Sequence, residues 1–403
     1  MHRTKITAAL GAAAATALLL AGCAGGSNAA SESSEGGDPI KAVVFGALGA
    51  EGILANNAQT SVTAAEASVA AVNELGGILD REVEIEVVDD TGDPTVAVTK
   101  LRELMAGDDK PDVVMNSGPS TVAEAMLPIL TQNKVLSFNI GPTATSGDPS
   151  ANPYNFDLSA SVPDYINSFV AELEARDTEK VAILHGSSAY GELFGELTSK
   201  AFADADMEVT GMEGFDNAAL DMTPQLAALK EADPDVLVLD AYGAPLGYVL
   251  QGIEKLGWDV PIMGNTSVAA TGLISTEPPT GVLGTDQVKN LTMQVYTSTK
   301  YDPADDKVNA AVELMAATGP IESSLILAYN YDAMLLVRAA AEKAGSLDVE
   351  ALAEALVDPE VQEAADTSIL SVYRFTEDSH TPHVAPEDFL FISPGPLVNG
   401  QYQ

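Results

Sequence analysis

A chain of 403 residues with 46% hydrophobic side chains holds enough apolar material for two cored domains, which excludes a disordered or fibrous protein. Its 59 acidic residues against 19 basic ones leave a formal charge of −40, a field that repels phosphate backbones and anionic headgroups, so nucleic acid is excluded as a partner. The same excess suits a surface whose self-repulsion is screened at high salt. A single cysteine excludes an internal disulfide, so packing alone must stabilise the fold.

The chain opens on a basic start, His2-Arg3-Thr4-Lys5, and an alanine-rich apolar run over 6–21 that is too short for a comfortable membrane span. Leu20-Ala21-Gly22-Cys23 follows, and it resembles the bacterial lipobox. That resemblance implies a signal peptide over 1–22, cleavage before Cys23 and diacylglyceryl attachment to its sulfur. A lone cysteine can also be a buried apolar residue, but this one sits where the signal requires it. Two acyl chains anchor stably, so the expected place is the outer face of the cytoplasmic membrane. Residues 23–38 are Gly, Ser, Ala and acidic, and read as a flexible tether.

The folded body begins near Pro39. Residues 41–46 read as a buried strand, 47–57 as a glycine-punctuated loop, and 58–75 as a helix with Val62, Ala65, Val69 and Val72 along one stripe. Gly76-Gly77 ends it. Val83, Ile85 and Val87 alternate with Glu82, Glu84 and Glu86 in a half-exposed strand that stops at Asp89-Asp90. Gly46, Gly49 and Gly52 are spaced G-x-x-G-x-x-G, not G-x-G-x-x-G, and the acidic pair lies far beyond the about 20 residues of a dinucleotide fold. These glycines read instead as a mobile rim loop. After a helix over 94–105 come strand 112–116, polar loop 117–121, helix 122–131, strand 135–138 and polar loop 139–146. In an open parallel sheet, ligands collect where strand carboxyl ends empty into loops, so both hydroxyl-rich loops belong to one rim.

The alternation restarts after 154–162. A helix over 162–175 and a strand over 180–184 lead to the loop 185–189, and Tyr190-Gly191 opens a helix to 202. Strand 207–212, helix 222–231 and strand 235–240 follow, the last opening onto Ala241-Tyr242-Gly243. A helix to 256 and a strand over 260–263 empty into Gly264-Asn-Thr-Ser267. Residues 291–295 are expected to cross back, 305–317 and 323–344 to form helices on the first lobe, 371–373 to cross again, and 389–392 to be a strand.

The block Asn73-Glu-Leu-Gly-Gly-Ile-Leu-Asp-Arg81, the strand ending Asp89-Asp90, then Asp93-Pro94, with Ala-Tyr190-Gly and Ala-Tyr242-Gly downstream, resembles the periplasmic leucine/isoleucine/valine-binding family. These are the type I solute receptors of branched-chain amino acid ABC transporters. The resemblance implies an α/β fold of two doubly wound parallel-sheet lobes joined by three crossover segments. Lobe 1 would be 39–158 and 291–370, and lobe 2 would be 159–290 and 371–403. It implies a monomer that closes on a small molecule, a branched-chain amino acid or a related nitrogen or carboxylate compound, and hands it to ABC permease subunits.

By the same resemblance, Ser120 or Thr121 grips a ligand carboxylate, Gly141 offers its backbone, Thr143 its hydroxyl, and Tyr190 and Tyr242 cover the ligand. A helix amino terminus does favour an anion, although Thr121 also reads as an N-cap with Glu124, and Thr143 as an ordinary turn residue. Where amino-acid-binding members carry a glutamate for the ligand ammonium, this chain has Thr266. Either Asp240 replaces it or the ligand is not a simple amino acid; a solvated strand-end aspartate is the plainer reading of Asp240.

Catalytic material is sparse. Gly186-Ser187-Ser188-Ala189-Tyr190 misses the nucleophile elbow at its last glycine, and His380 and His383 lie in an acidic, proline-flanked stretch that reads as loop rather than metal site. No cofactor, no metal and no enzymatic activity are expected. A ligand sensor of the same fold and a hydrolase on this scaffold are the alternatives.

Overall fold

The computed structural model describes residues 37–107 and 110–403. Cys23, the signal run and nearly all of the tether lie outside the described residues. The first sheet is built from β1 (Ile40–Gly46), α1 (Ile53–Glu74), β2 (Val83–Asp89), α2 (Pro94–Ala106), β3 (Val113–Asn116), α3 (Ser120–Asn133), β4 (Leu136–Asn139) and β5 (Asn155–Asp157). Its strands are all parallel in the order β2-β1-β3-β4-β5. β1, β3 and β4 are buried because helices cover both faces, with β1 and β3 mostly apolar and β4 placing Ser137 and Asn139 between its apolar residues, whereas β2 alternates because it is an edge.

α1 starts five residues earlier than its stripe predicts, since Gly52 at φ +66° turns the chain into the helix directly. The rim loop before it is tied down: Gly49 N donates to Asp89 Oδ1 at 2.9 Å, and a Cβ at Gly49 would stand 2.3 Å from the other carboxylate oxygen. So Gly46, where a Cβ would stand 2.8 Å from Val62, and Gly49 serve close packing, while Gly52 serves the turn.

The second sheet follows with α4 (Val162–Ala175), β6 (Lys180–Gly186), α5 (Ala189–Asp204), β7 (Glu208–Phe215), α6 (Thr223–Glu231), β8 (Val236–Leu239), α7 (Ala244–Lys255), β9 (Ile262–Gly264), α8 (Thr266–Ala269) and β10 (Leu291–Tyr296). Then α9 (Asp306–Thr318), α10 (Asn330–Ala344), α11 (Val349–Leu356) and α12 (Pro359–Ala364) return to the first sheet, where α9 and α10 pack on α1. β11 (Phe389–Ile392) closes the second sheet in the order β11-β10-β9-β8-β6-β7, antiparallel to β10 and otherwise parallel throughout.

Two expected boundaries move. Residues 291–295 are not a crossing but most of β10, because Leu291, Met293 and Val295 are buried between β9 and β11, and the crossing follows Tyr296. Residues 371–381 stay beside the first sheet: His380 N donates to Gly147 O, Asp157 N donates to His380 O, and the His380 ring stacks on Phe156 at 4.0 Å. His383 instead faces Asp164 at 2.9 Å. The two imidazoles are thus held by different neighbours and do not converge.

Two carboxyls are buried without a cation. Asp157 accepts from Ser146, Thr381, Asn139 and Asn155, and Asp332 accepts from the backbone N–H of Ser368, Ile369 and Leu370 and from the Tyr373 hydroxyl. Loss of hydration outweighs these donations, pushing each from 3.8 up to about 6. Each therefore binds its proton more tightly folded than unfolded. The associated stability is fully present below 3.8 and is lost as pH rises through about 6. Repulsion among the acidic residues changes in the same sense. The melting temperature is expected to be higher at pH 5 than at pH 8 in matched salt; a flat or reversed profile would contradict both assignments.

Candidate functional site

The first rim is the carboxyl end of β3 and β4. Asn116 Nδ2 donates to Asn139 Oδ1 at 3.1 Å, and Gly118 N donates to Asn116 Oδ1, which fixes the loop leading into α3. α3 begins at Ser120, with Pro119 before it and no side-chain cap, so Thr121 lies within the first turn and is not an N-cap paired with Glu124. The first amides of a helix have no intrahelical acceptor, which leaves those of 120 and 121 for other partners. Gly141 fits against this turn: a Cβ there would come within 3.0 Å of Ser120 N.

The second rim collects the ends of β6, β8 and β9. Ser188 Oγ caps α5 by accepting from Gly191 N at 2.9 Å, and Asn265 caps α8. The Asn265 amide also donates to Asp240 Oδ1 at 2.8 Å and to the Tyr190 hydroxyl at 3.4 Å. Gly191 must be glycine, since a Cβ would stand 2.8 Å from Asp240 Oδ2 and 2.3 Å from Gly186 O. Asp240 is 3% exposed, so it is not a solvated strand end. Burial raises its pKa, while the Asn265 amide, the Ser267 hydroxyl, the Gly186 N–H and the nearby His185 ring pull the other way.

Between the rims lies a cavity of about 570 Å³, within the range of ligand pockets. The rims touch beside it, where Tyr190 N donates to Ser120 Oγ at 3.1 Å. Ser120, Thr121 and Gly141 line it from one side, and Tyr190, Tyr242, Asp240 and Thr266 from the other. Seven of the eight sequence-predicted contacts therefore share one space. Thr143 is the exception: it does not line the cavity, and its oxygen accepts from Ser146 N at 3.0 Å and Thr145 N at 3.3 Å within its own turn.

Residues beyond the eight candidates complete the lining. Ile53 and Leu54 make it apolar at the start of α1, Glu51 stands at the rim, and Tyr165 and Tyr329 form its back wall. The two tyrosines sit in stretches whose periodicity reads as helix core. Tyr242 is pushed up to about 12 by burial, with the Asn57 amide of α1 beside it pulling the other way. Glu51 and Asp240 are the acidic residues of the lining, and among the described residues that form it there is no lysine, arginine or histidine. The space can thus hold a molecule of mixed polarity and pair a positive group on it, and no side chain in it is a paired nucleophile and base.

Residues 40–384 match the model of a family described as periplasmic binding protein. Among curated relatives, the leucine-, isoleucine-, valine-, threonine- and alanine-binding protein of Pseudomonas aeruginosa is 24% identical over 288 residues, covering 71% of this chain and 74% of its own length. Among solved structures, a periplasmic binding protein type 1 from Bordetella pertussis superposes with a TM-score of 0.75 at 18% identity, covering 88% of this chain and 96% of that one. A solute-binding protein of an ABC transporter from Rhodopseudomonas palustris, solved with 4-hydroxybenzoate, gives 0.67 at 20% identity over 80% of this chain and 85% of its own.

Proposed function

The chain belongs to the periplasmic binding protein family, and from that premise we propose that it is the extracytoplasmic solute-binding lipoprotein of an ABC importer. It binds a small amine-bearing compound, a branched-chain amino acid or a close relative, and does not transform it. The observation that carries this reading is the cavity whose lining comes from both sheets, with hydroxyls and helix-start amides on one rim and tyrosines with a buried carboxylate on the other. A ligand that touches both rims favours the closed arrangement by its differential contacts, and the crossover segments confine the motion to a hinge. Asp240 supplies the counter-charge that Thr266 does not. Cys23 would carry the lipid, a monomer would suffice for the cavity, and permease subunits in the membrane would receive the ligand. Among the described residues no helix is long and apolar enough to cross a membrane, which fits an anchor supplied by the lipobox-like segment.

The test is thermal shift followed by calorimetry on the chain lacking residues 1–23. The panel is L-leucine, L-isoleucine, L-valine and L-threonine, their carboxamides, urea, short carboxylates and 4-hydroxybenzoate. No shift with any of them would defeat the proposal. Tyr242→Ala is expected to weaken the best ligand by about 2 kcal/mol or more, thirtyfold in Kd, while the half-buried ring costs the free protein little. Tyr190→Ala should lose binding too but also lower the melting temperature, because its ring stacks on Phe194 at 6.0 Å and meets Tyr165 edge-on at 6.4 Å. Unchanged affinity in both variants would place the ligand elsewhere.

A further inference from the structure

Behind the cavity three phenols meet. Tyr165 of α4, Tyr296 at the end of β10 and Tyr329 just before α10 come from the second sheet's side, that sheet itself and the first sheet's side, and all three are at most 2% exposed. Ala160 N donates to the Tyr296 oxygen at 3.0 Å, Tyr296 donates to the Tyr165 oxygen at 2.7 Å, and the hydroxyls of Tyr165 and Tyr329 stand 3.4 Å apart.

Each phenol has one proton to donate. Tyr296 gives its own to Tyr165, and Tyr165 and Tyr329 need only one between them. One hydroxyl proton is therefore left over, on Tyr329 if Tyr165 donates and on Tyr165 if Tyr329 does. Both of those residues line the cavity, and Tyr296 does not. Among the described residues neither hydroxyl makes a further hydrogen bond; the Ser159 and Thr266 hydroxyls stand near the Tyr165 oxygen but outside bonding geometry, and Thr266 lines the same cavity. A buried O–H without an acceptor is unfavourable, and a chain of hydrogen bonds feeding it makes it a stronger donor.

We propose that the Tyr165–Tyr329 pair is a ligand-binding element, presenting one hydroxyl proton to an acceptor on the ligand, a carbonyl, carboxylate or hydroxyl oxygen lying against the back wall. The inference rests on the binding function proposed above. Because either tyrosine can carry the spare proton, the donor survives loss of either one. The ligand is thus held from the hinge side as well as from the rims, and by a group from either lobe.

The test uses phenylalanine, which keeps the rings, with L-leucine as first probe and 4-hydroxybenzoate as second. Tyr329→Phe leaves the Tyr165 proton for the ligand, and Tyr165→Phe leaves that of Tyr329. Each is expected to weaken binding by less than about threefold, whereas the Tyr165→Phe/Tyr329→Phe double variant should lose about 10- to 100-fold, since the ligand acceptor is then buried unpaired. The Tyr165→Phe/Tyr296→Phe double variant also lacks two hydroxyls but keeps the Tyr329 proton. It should weaken binding by no more than about threefold, while melting lower than the unmodified chain because the Ala160 amide has lost its acceptor.

The proposal is overturned if the Tyr165→Phe/Tyr329→Phe chain binds within about threefold of the unmodified one, if both double variants lose affinity equally, or if the two single losses simply multiply to the double. Should the unmodified chain bind neither these probes nor any other compound of the panel, the binding function itself fails and this inference goes with it. Binding by the unmodified chain with no penalty in the double variant removes the inference alone.

Discussion

Asp240→Asn is expected to weaken an amine-bearing ligand by about 2–5 kcal/mol, 30- to 4000-fold in Kd, while leaving the free protein as stable as before or more so. The carboxylate is 3% exposed, no lysine, arginine or histidine lines the cavity with it, and it is held by the Asn265 amide and the Gly186 N–H with the His185 ring nearby. Such a group is unfavourable for the empty fold and favourable for a ligand that brings the opposite charge. Asparagine keeps an oxygen for the 2.8 Å bond from Asn265 and removes the charge. Calorimetry and melting curves read the two effects separately, and 4-hydroxybenzoate, which has no amine, serves as the comparison compound. An amine ligand that binds the variant as tightly as the unmodified chain would show that Asp240 is only structural.

Asp332→Ala should lower the unfolding free energy by about 3–5 kcal/mol. Its two oxygens take the N–H groups of Ser368, Ile369 and Leu370 and the hydroxyl of Tyr373, binding α10 to the stretch that leads into the last crossing. Alanine leaves all of those donors buried without an acceptor. The measurement is the urea midpoint at unchanged slope. A shift below about 1 kcal/mol would mean that the 368–373 segment relaxes into water, and that it does not fix the hinge.

The alternating strands and helices were legible in the sequence because strands such as Val113–Asn116, Lys180–Gly186 and Val236–Leu239 carry apolar runs and the rims gather glycine, hydroxyl and amide. The family resemblance points to Ser120, Thr121, Gly141, Tyr190 and Tyr242, and to Thr266 as the place of the missing glutamate, and each lines the cavity. Asp240 was misjudged as solvated, since a one-dimensional pattern cannot show that Asn265, from the next strand, reaches over it. Thr143 failed for the opposite reason. It has the right side chain in the right loop, but Ser146 turns it into its own backbone. Tyr165 and Tyr329 were invisible because their helical spacing is that of core, and what makes them functional is a meeting between parts of the chain more than 100 residues apart. The crossing misplaced at 291–295 had no local signal either: whether Leu291 to Val295 cross or pair depends on a strand some hundred residues downstream.

That dependence bears on how the molecule is made. Strand β10 offers one flank to β9 and the other to Phe389–Ile392, the strand of that sheet that arrives last. A polypeptide emerging amino end first, from a ribosome or a translocation channel, must hold Met293 to Tyr296 as a bare flank until residues 389–392 are out. Exposed flanks of this kind recruit neighbouring chains. Nascent chains stalled or clipped before residue 389 should accordingly be the species that aggregate and that holdase chaperones retain.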